Sequence, residues 1–339
     1  MQHESQLAEG LRASASVAPP GRFAWLPVGL FGSVMGLIGM SVAWKIAHEH
    51  FGCWIEVSWA FEALAVLAFA LMSLGYACKL ATAPQAVGAE FRHPIGSNLF
   101  ATFLISVVLL PGFIVPLSLS VARGVWLLGA ASTTLFAWFI IDRWIRFPQQ
   151  VVSATPAWLV PVVGLLNVPL AMPALGLAAL RDVMVPYLAI GLFFTVPLFT
   201  LVFYRLLFEP PLVEELQPSL LILVAPFAVG TSTYIVTSGK VDAFAEALFT
   251  MTLFMLAVLI GRVLHLGVCC PFRTSWWSVS FPLAATAIAG MRMARGLQAA
   301  ATDVLAIALL GLASAIVAFL LVQTAWRLAR GEFGKPTGL

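Results

Sequence analysis

The chain has 339 residues, of which 61% are hydrophobic and only 10% charged. With a mean hydropathy of +0.99, against about 25% charged residues in an ordinary soluble domain, a soluble fold is excluded. The formal net charge of +3 is too small to suggest a nucleic-acid partner.

Residues 1–22 are polar, with Glu4, Glu9 and a Pro19-Pro20-Gly21 break. They lack the basic start, short apolar core and cleavage site of a signal peptide, and are predicted to form a disordered cytoplasmic tail. A membrane domain is predicted over 23–330, followed by a short cytoplasmic tail, 331–339. Within it lie ten apolar runs of about 18 residues or more, the length that crosses a bilayer. In order they are Pro27–Trp44, Val57–Leu80, Ser97–Pro116, Gly124–Ile141, Ala157–Ala179, Val183–Leu207, Ser219–Val236, Ala243–Leu264, Ser275–Ala294 and Thr302–Leu328. Backbone polar groups must be paired inside hydrocarbon and the alternation of a membrane barrel is absent, so the runs are predicted helices. Ten crossings put both termini on one side. Twelve of the 18 Lys and Arg fall on the segments of that side, which predicts both termini cytoplasmic in the inner (plasma) membrane.

Five prolines punctuate the runs: Pro27, Pro94, Pro156, Pro218 and Pro271, at steps of 67, 62, 62 and 53 residues. Each precedes an odd-numbered run, and the interval holds two crossings, so the chain reads as five repeated helical hairpins. Prolines inside runs also favour the odd set: Pro111 and Pro116 in the third, Pro161, Pro169 and Pro173 in the fifth, Pro226 in the seventh and Pro282 in the ninth. The first has Gly32, Gly36 and Gly39 instead, while the sixth departs from the pattern with Pro186 and Pro197. Proline frees a carbonyl, which hydrocarbon tolerates only beside other protein or a wet cavity. The odd helices are therefore expected to form an inner ring around a central pore, kinked at Pro161, Pro226 and Pro282, and the even helices an outer ring facing lipid. The alternative is that proline is simply commoner in membrane helices.

The odd runs hold no Asp, Glu, Lys or His, and their one arginine, Arg292, ends the ninth with Arg295 just beyond. The even runs carry Glu62, Glu246, Arg262, Asp303 and Arg327 near their ends. A proton-coupled carrier usually keeps an ionisable group in its pathway, so an uncharged pathway favours passive conduction. Arg292 and Arg295 are read either as a source of positive potential at the outer mouth or as simple anchors. Arg205 and Glu209, four apart, are expected to pair at a helix end, and His93 to cap the third helix. His48-Glu49-His50 with Cys53 is read as a solvated turn, since alternate histidines in a loop rarely complete a metal site. The four cysteines give no metal or disulfide framework. No nucleophile–base set or phosphate loop is visible, so neither an enzyme activity nor a cofactor or metal is expected.

Pro27-Val28-Gly29-Leu30-Phe31-Gly32, Glu90-Phe91-Arg92-His93-Pro94, Thr155-Pro156-Ala157-Trp158, Leu216-Gln217-Pro218 and Trp276-Trp277-Ser278-Val279-Ser280-Phe281-Pro282 occur in order at set spacings. Together they resemble the tellurite-resistance/dicarboxylate transporter family, which takes in the bacterial TehA proteins and the plant guard-cell slow anion channel. The resemblance implies ten helices in five hairpins about a quasi-fivefold axis, with odd helices lining the pore, and a homotrimer with one pore per protomer. It implies a pore closed by a phenylalanine, here Phe281, packed near Gly32 and Val229. Gly230 and Thr231-Ser232-Thr233 depart from the bacterial pattern and leave the polarity of the wall open at that level. The long phosphoregulated termini of the plant channels are missing, so kinase gating is not implied. The expected function is a gated anion channel or passive anion exporter for small inorganic or organic anions. The alternatives are a proton-coupled C4-dicarboxylate, sulfite or tellurite transporter, and a non-transporting membrane sensor or scaffold.

Overall fold

The structure is a computed structural model that describes residues 23–269 and 272–331. The expected tail 1–22, most of 331–339, Cys270 and the fifth marker proline, Pro271, lie outside the described residues. Among the described residues the chain is all-helical. Ten long helices are labelled here in chain order: α1 Val28–Phe51, α2 Ile55–Thr82, α3 Gly96–Ile114, α4 Leu119–Arg146 and α5 Pro156–Ala171. Then follow α6 Ala178–Phe208, α7 Gln217–Ser238, α8 Ala243–Cys269, α9 (Thr274–Val279 continuing as Ser280–Leu297) and α10 Ala300–Ala329. Eight of these are long and apolar enough to cross a membrane; α5 is a shorter apolar helix and α9 is outside the eight. The fifth apolar run is thus longer than its helix. Pro169 and Pro173 exhaust it, and Gly176 turns the chain with φ +63 before α6 begins.

Burial divides the helices by parity. The apolar windows of α1, α3 and α7 are 83%, 50% and 78% buried, whereas those of α2, α4, α6, α8 and α10 are between 11% and 33% buried. Exposed large apolar side chains such as Leu67, Leu71, Trp138, Phe193, Phe254 and Ile307 stand on even helices, an apolar coat of the kind lipid covers. The ring of odd helices is closed: α1 packs on α3, α3 on α5, α5 on α7, α7 on α9 and α9 on α1. Each even helix packs on the odd helix that precedes it, giving five hairpins. The first turn of α9 touches those of α1 and α7, and that of α5 touches that of α7, so these inner helices begin on the same face. α6 runs as one helix through Pro186 and Pro197.

The inner helices are not uniform. α1, α5, α7 and α9 each open with a 3-10 segment, and α5 returns to 3-10 over Gly164–Ala171. Such segments bond their backbone poorly, and neighbouring side chains take up the carbonyls. Thr233 Oγ1 donates to the Leu166 carbonyl at 2.6 Å and Trp126 Nε1 to that of Val168 at 2.9 Å. Thr102 and Ser106 of α3 reach the Val28 and Phe31 carbonyls of α1. Pro161, Pro226 and Pro282 all sit in the first turn of an α-helical segment that follows a 3-10 segment.

The glycines of α1 serve different ends. A Cβ at Gly36 would collide with Ser280 of α9, and one at Gly39 would lie 2.8 Å from the Ala284 Cβ. These two let α1 and α9 approach closely, as small residues do between membrane helices, and Gly39 also borders a cavity. At Gly32 an added Cβ meets nothing within 4 Å. Gly36→Ala is therefore expected to destabilise the protein by about 1–3 kcal/mol, and Gly32→Ala to leave stability unchanged or raise it by up to ~1 kcal/mol. Thermal unfolding of the two variants in detergent measures this; equal melting temperatures would remove the close α1–α9 seam from the account.

Candidate functional site

All five inner helices contribute to a cavity of about 80 Å³ near the face where they begin. Each supplies one or more walls, among them Gly32 of α1, Thr102 of α3, Val163 of α5, Val229 of α7 and Phe281 of α9. Among the described residues no charged side chain and no even helix lines it. A single water needs only about 10–15 Å³ by such a measure, so the space admits a few waters or a small ion. Its polar atoms are few. Thr102 Oγ1 is already bonded to the Leu99 and Val28 carbonyls, while Asn167 Oδ1 and Ser278 Oγ are buried without a partner.

A second cavity of about 1350 Å³ extends toward the opposite face. Asn167, Val229 and Phe281 line both cavities, so these three side chains stand between them. Phe281 is half-buried and packs with apolar neighbours that include Met35, Ala101 and Ile105. Val229 is 3% exposed. The structure thus brings Gly32, Val229 and Phe281 to one level of the axis. Pro226 and Pro282 line the small cavity; Pro161 is buried beside it but is not part of the wall.

The larger cavity is charged. Lys45, Arg292, Arg295, Glu49 and Glu62 line it. The two arginines are not equivalent, since Arg295 Nη1 pairs with Glu49 Oε2 at 3.0 Å while Arg292 Nε is buried without a partner. Of the polar run after Val229, Thr231 and Thr233 spend their hydroxyls on the Phe227 and Leu166 carbonyls. Ser232 Oγ is unbonded, and Ser232 lines the larger cavity.

A family model described as voltage-dependent anion channel matches residues 26–325. The chain belongs to this family. The relatives bear the names of S-type anion channels, transporters and a tellurite resistance protein. The S-type anion channel SLAH3 of Arabidopsis thaliana is 25% identical over 93% of this chain and 51% of its own length. The S-type anion channel SLAH2 of the same plant is 26% identical over 91% of this chain and 61% of its own. The chain therefore spans about half to three-fifths of these plant relatives. The tellurite resistance protein TehA homolog of Haemophilus influenzae is 24% identical over 91% of this chain and 92% of its own length. Membership fits the closed ring of inner helices, the lipid-facing outer ring and the uncharged cavity on the axis.

Other residues singled out by sequence have structural duties. His48, Glu49 and His50 lie in the last turn of α1 rather than in a loop; His48 Nδ1 donates to the Cys53 carbonyl, His50 pairs with Asp303 and Glu49 with Arg295, so the candidate ligands are turned to separate partners. Asp242 caps α8, accepting from the Phe244 and Ala245 amides. The Tyr234 hydroxyl it also accepts holds its carboxyl below the usual range. Arg205 does not pair with Glu209. The chain leaves the helix at Glu209 in extended conformation, and Arg205 Nε turns instead to the Val152 carbonyl at 3.4 Å.

The Glu90–Pro94 motif proves to be a junction. Glu90 accepts from the Val28 amide at 2.6 Å, from Lys79 Nζ at 2.7 Å and from the Tyr76 hydroxyl at 3.0 Å. Lys79, only 3% exposed, also donates to the Leu26 carbonyl. Arg143 donates to the Phe91 and Arg92 carbonyls, and His93 Nδ1 accepts the Ile95 and Gly96 amides at the start of α3. Sequence reading missed the Lys79–Glu90 pair, because Lys79 looks like an ordinary charge at the end of a span. Removing Lys79 strands a mostly buried carboxylate, so Lys79→Met is expected to cost about 3–5 kcal/mol. Arg146→Ala, at the exposed pair with Asp142, is expected to cost under ~1 kcal/mol. Comparable melting shifts for the two would show that the buried pair does not secure the start of α1.

Proposed function

We propose that this protein is a gated anion channel, or passive anion exporter, of the inner (plasma) membrane, with its pathway along the axis of the inner ring and Phe281 as the gate. The carrying observation is that Phe281, Val229 and Asn167 border both cavities, so one narrow level, apolar except for Asn167, interrupts an otherwise continuous line of space. Gly32 supports the assignment, because the open volume beside it is room for the aromatic ring to occupy or vacate. An anion at this level sheds water and meets no fixed cation; large, weakly hydrated anions then pass more readily than small, strongly hydrated ones. Weak binding also permits exit, which conduction requires.

The positive-inside bias supports both termini at the cytoplasmic side, where the inner helices begin. A potential of about 100 mV, inside negative, is worth roughly 2.3 kcal/mol per charge, so a passive path drives anion efflux. We further propose the homotrimer of the family, one pore in each protomer, with the even helices supplying the contacts. Glu62, an ionisable group on α2 that lines the larger cavity, supports a second reading, a proton-coupled dicarboxylate, sulfite or tellurite carrier.

Closed and open states of such a gate differ by a few kcal/mol, with the minor state about 0.1–10% populated. Phe281→Ala is therefore expected to raise anion current at least about tenfold in planar bilayers, and Phe281→Trp to leave it low. An alanine variant conducting no better than wild type would end the gate assignment. Proton uptake in fixed ratio to anion movement in proteoliposomes would establish the carrier in place of the channel.

A further inference from the structure

The larger cavity holds one more base than acid: its lining has Lys45, Arg292 and Arg295 against Glu49 and Glu62. Arg295 holds Glu49 at 3.0 Å, and Lys45 is exposed. Arg292 is left over: its Nε is buried with no hydrogen-bond partner, and it makes no ion pair among the described residues. Arg292 is half-buried, and an unpaired guanidinium that has lost part of its water is costly; a bound counterion relieves that cost.

Position says what such a counterion would be doing there. Arg292 follows Phe281 by three turns of α9, about 16 Å along the axis, so it lies in the vestibule rather than at the constriction. Ser232 lies between, one turn beyond Val229, with its hydroxyl unbonded, and Asn167 presents an unbonded amide oxygen at the partition itself. We infer that Arg292 is an anion-binding site of the vestibule and that its ligands are small oxyanions. The planar guanidinium offers parallel donors that match the oxygens of nitrate, sulfate or a carboxylate better than a spherical halide. The inference rests on the anion-pathway reading for its purpose, but on neither Phe281 nor gating for its chemistry.

The test uses the purified full chain in detergent, with nitrate replacing chloride at constant ionic strength while thermal unfolding is followed. Wild type and the distant control Arg146→Gln are expected to gain melting temperature saturably. Arg292→Gln is expected to need at least about tenfold more nitrate for the same gain, or to show none. Arg292→Lys, which keeps the charge and loses the fork, is expected to fall between. Since Arg292 makes no ion pair among the described residues, its variants are expected to fold, and their melting in chloride alone checks this. Identical nitrate titrations for wild type and Arg292→Gln, or an unsaturable rise common to both, would overturn the site. Bilayer currents separate this from the channel reading. Arg292-dependent binding without current, even in Phe281→Ala, leaves the site standing and removes conduction; current without Arg292-dependent binding does the reverse.

Discussion

The structure depends on how closely α1 and α9 approach. Lipid is as apolar as the helices it surrounds, so no hydrophobic drive joins helices within it; close packing and hydrogen bonds must do so. At this seam Gly36 lies against Ser280 and Gly39 against Ala284. Ser280 Oγ donates to the Trp277 carbonyl at 2.7 Å and reaches the Gly32 carbonyl at 3.4 Å. That contact closes the inner ring, and it also aims the next side chain. Successive helical residues are turned by about 100°, so with Ser280 held against α1, Phe281 is swung toward the axis, onto the level where Gly32 leaves space. A bulkier residue at Gly36 would alter the ring's diameter and the aim of Phe281 together.

A second constraint follows from closing a ring of irregular helices. The 3-10 segments and prolines free carbonyls that hydrocarbon does not satisfy. Neighbouring hydroxyls and indoles take them up: Thr102 and Ser106 for α1, Thr233 and Trp126 for α5. Most polar side chains of the inner ring are consumed in this way, as Thr231 and Thr286 are on their own helices. The polar atoms left unbonded along the axis are therefore few, chiefly those of Asn167, Ser232 and Ser278. A wall that looks rich in hydroxyls in sequence is much drier in effect.

Much of this was legible in the sequence. Interior prolines and missing charges separate inner from outer helices because both report the same thing, a surface that meets protein or a cavity instead of lipid. The failures have physical reasons too. The fifth run was read too long because apolarity alone does not register the turn at Gly176. The short helix Pro84–Arg92 lacks an apolar run and so gave no signal. Asn167, the one amide in a run with three prolines, carried a signal that was passed over. Arg292 and Arg295 are near twins in sequence; only the approach of Glu49 from the last turn of α1 distinguishes them, and no local pattern encodes that approach.

On the channel reading, the division of the axis into a large charged space and a small uncharged one separates two tasks that a single site could not perform well. At about 16 Å, and with an effective dielectric near 20, a unit charge at Arg292 acts on an ion at the Phe281 level with only ~1 kcal/mol. That is enough to raise local anion concentration several-fold and too little to hold an anion in the constriction. Dehydration in the 80 Å³ space, not attraction, then sets the barrier. On the channel reading, capture by charge and selection by dehydration lie in series, far enough apart that strengthening the first would not deepen a trap at the second.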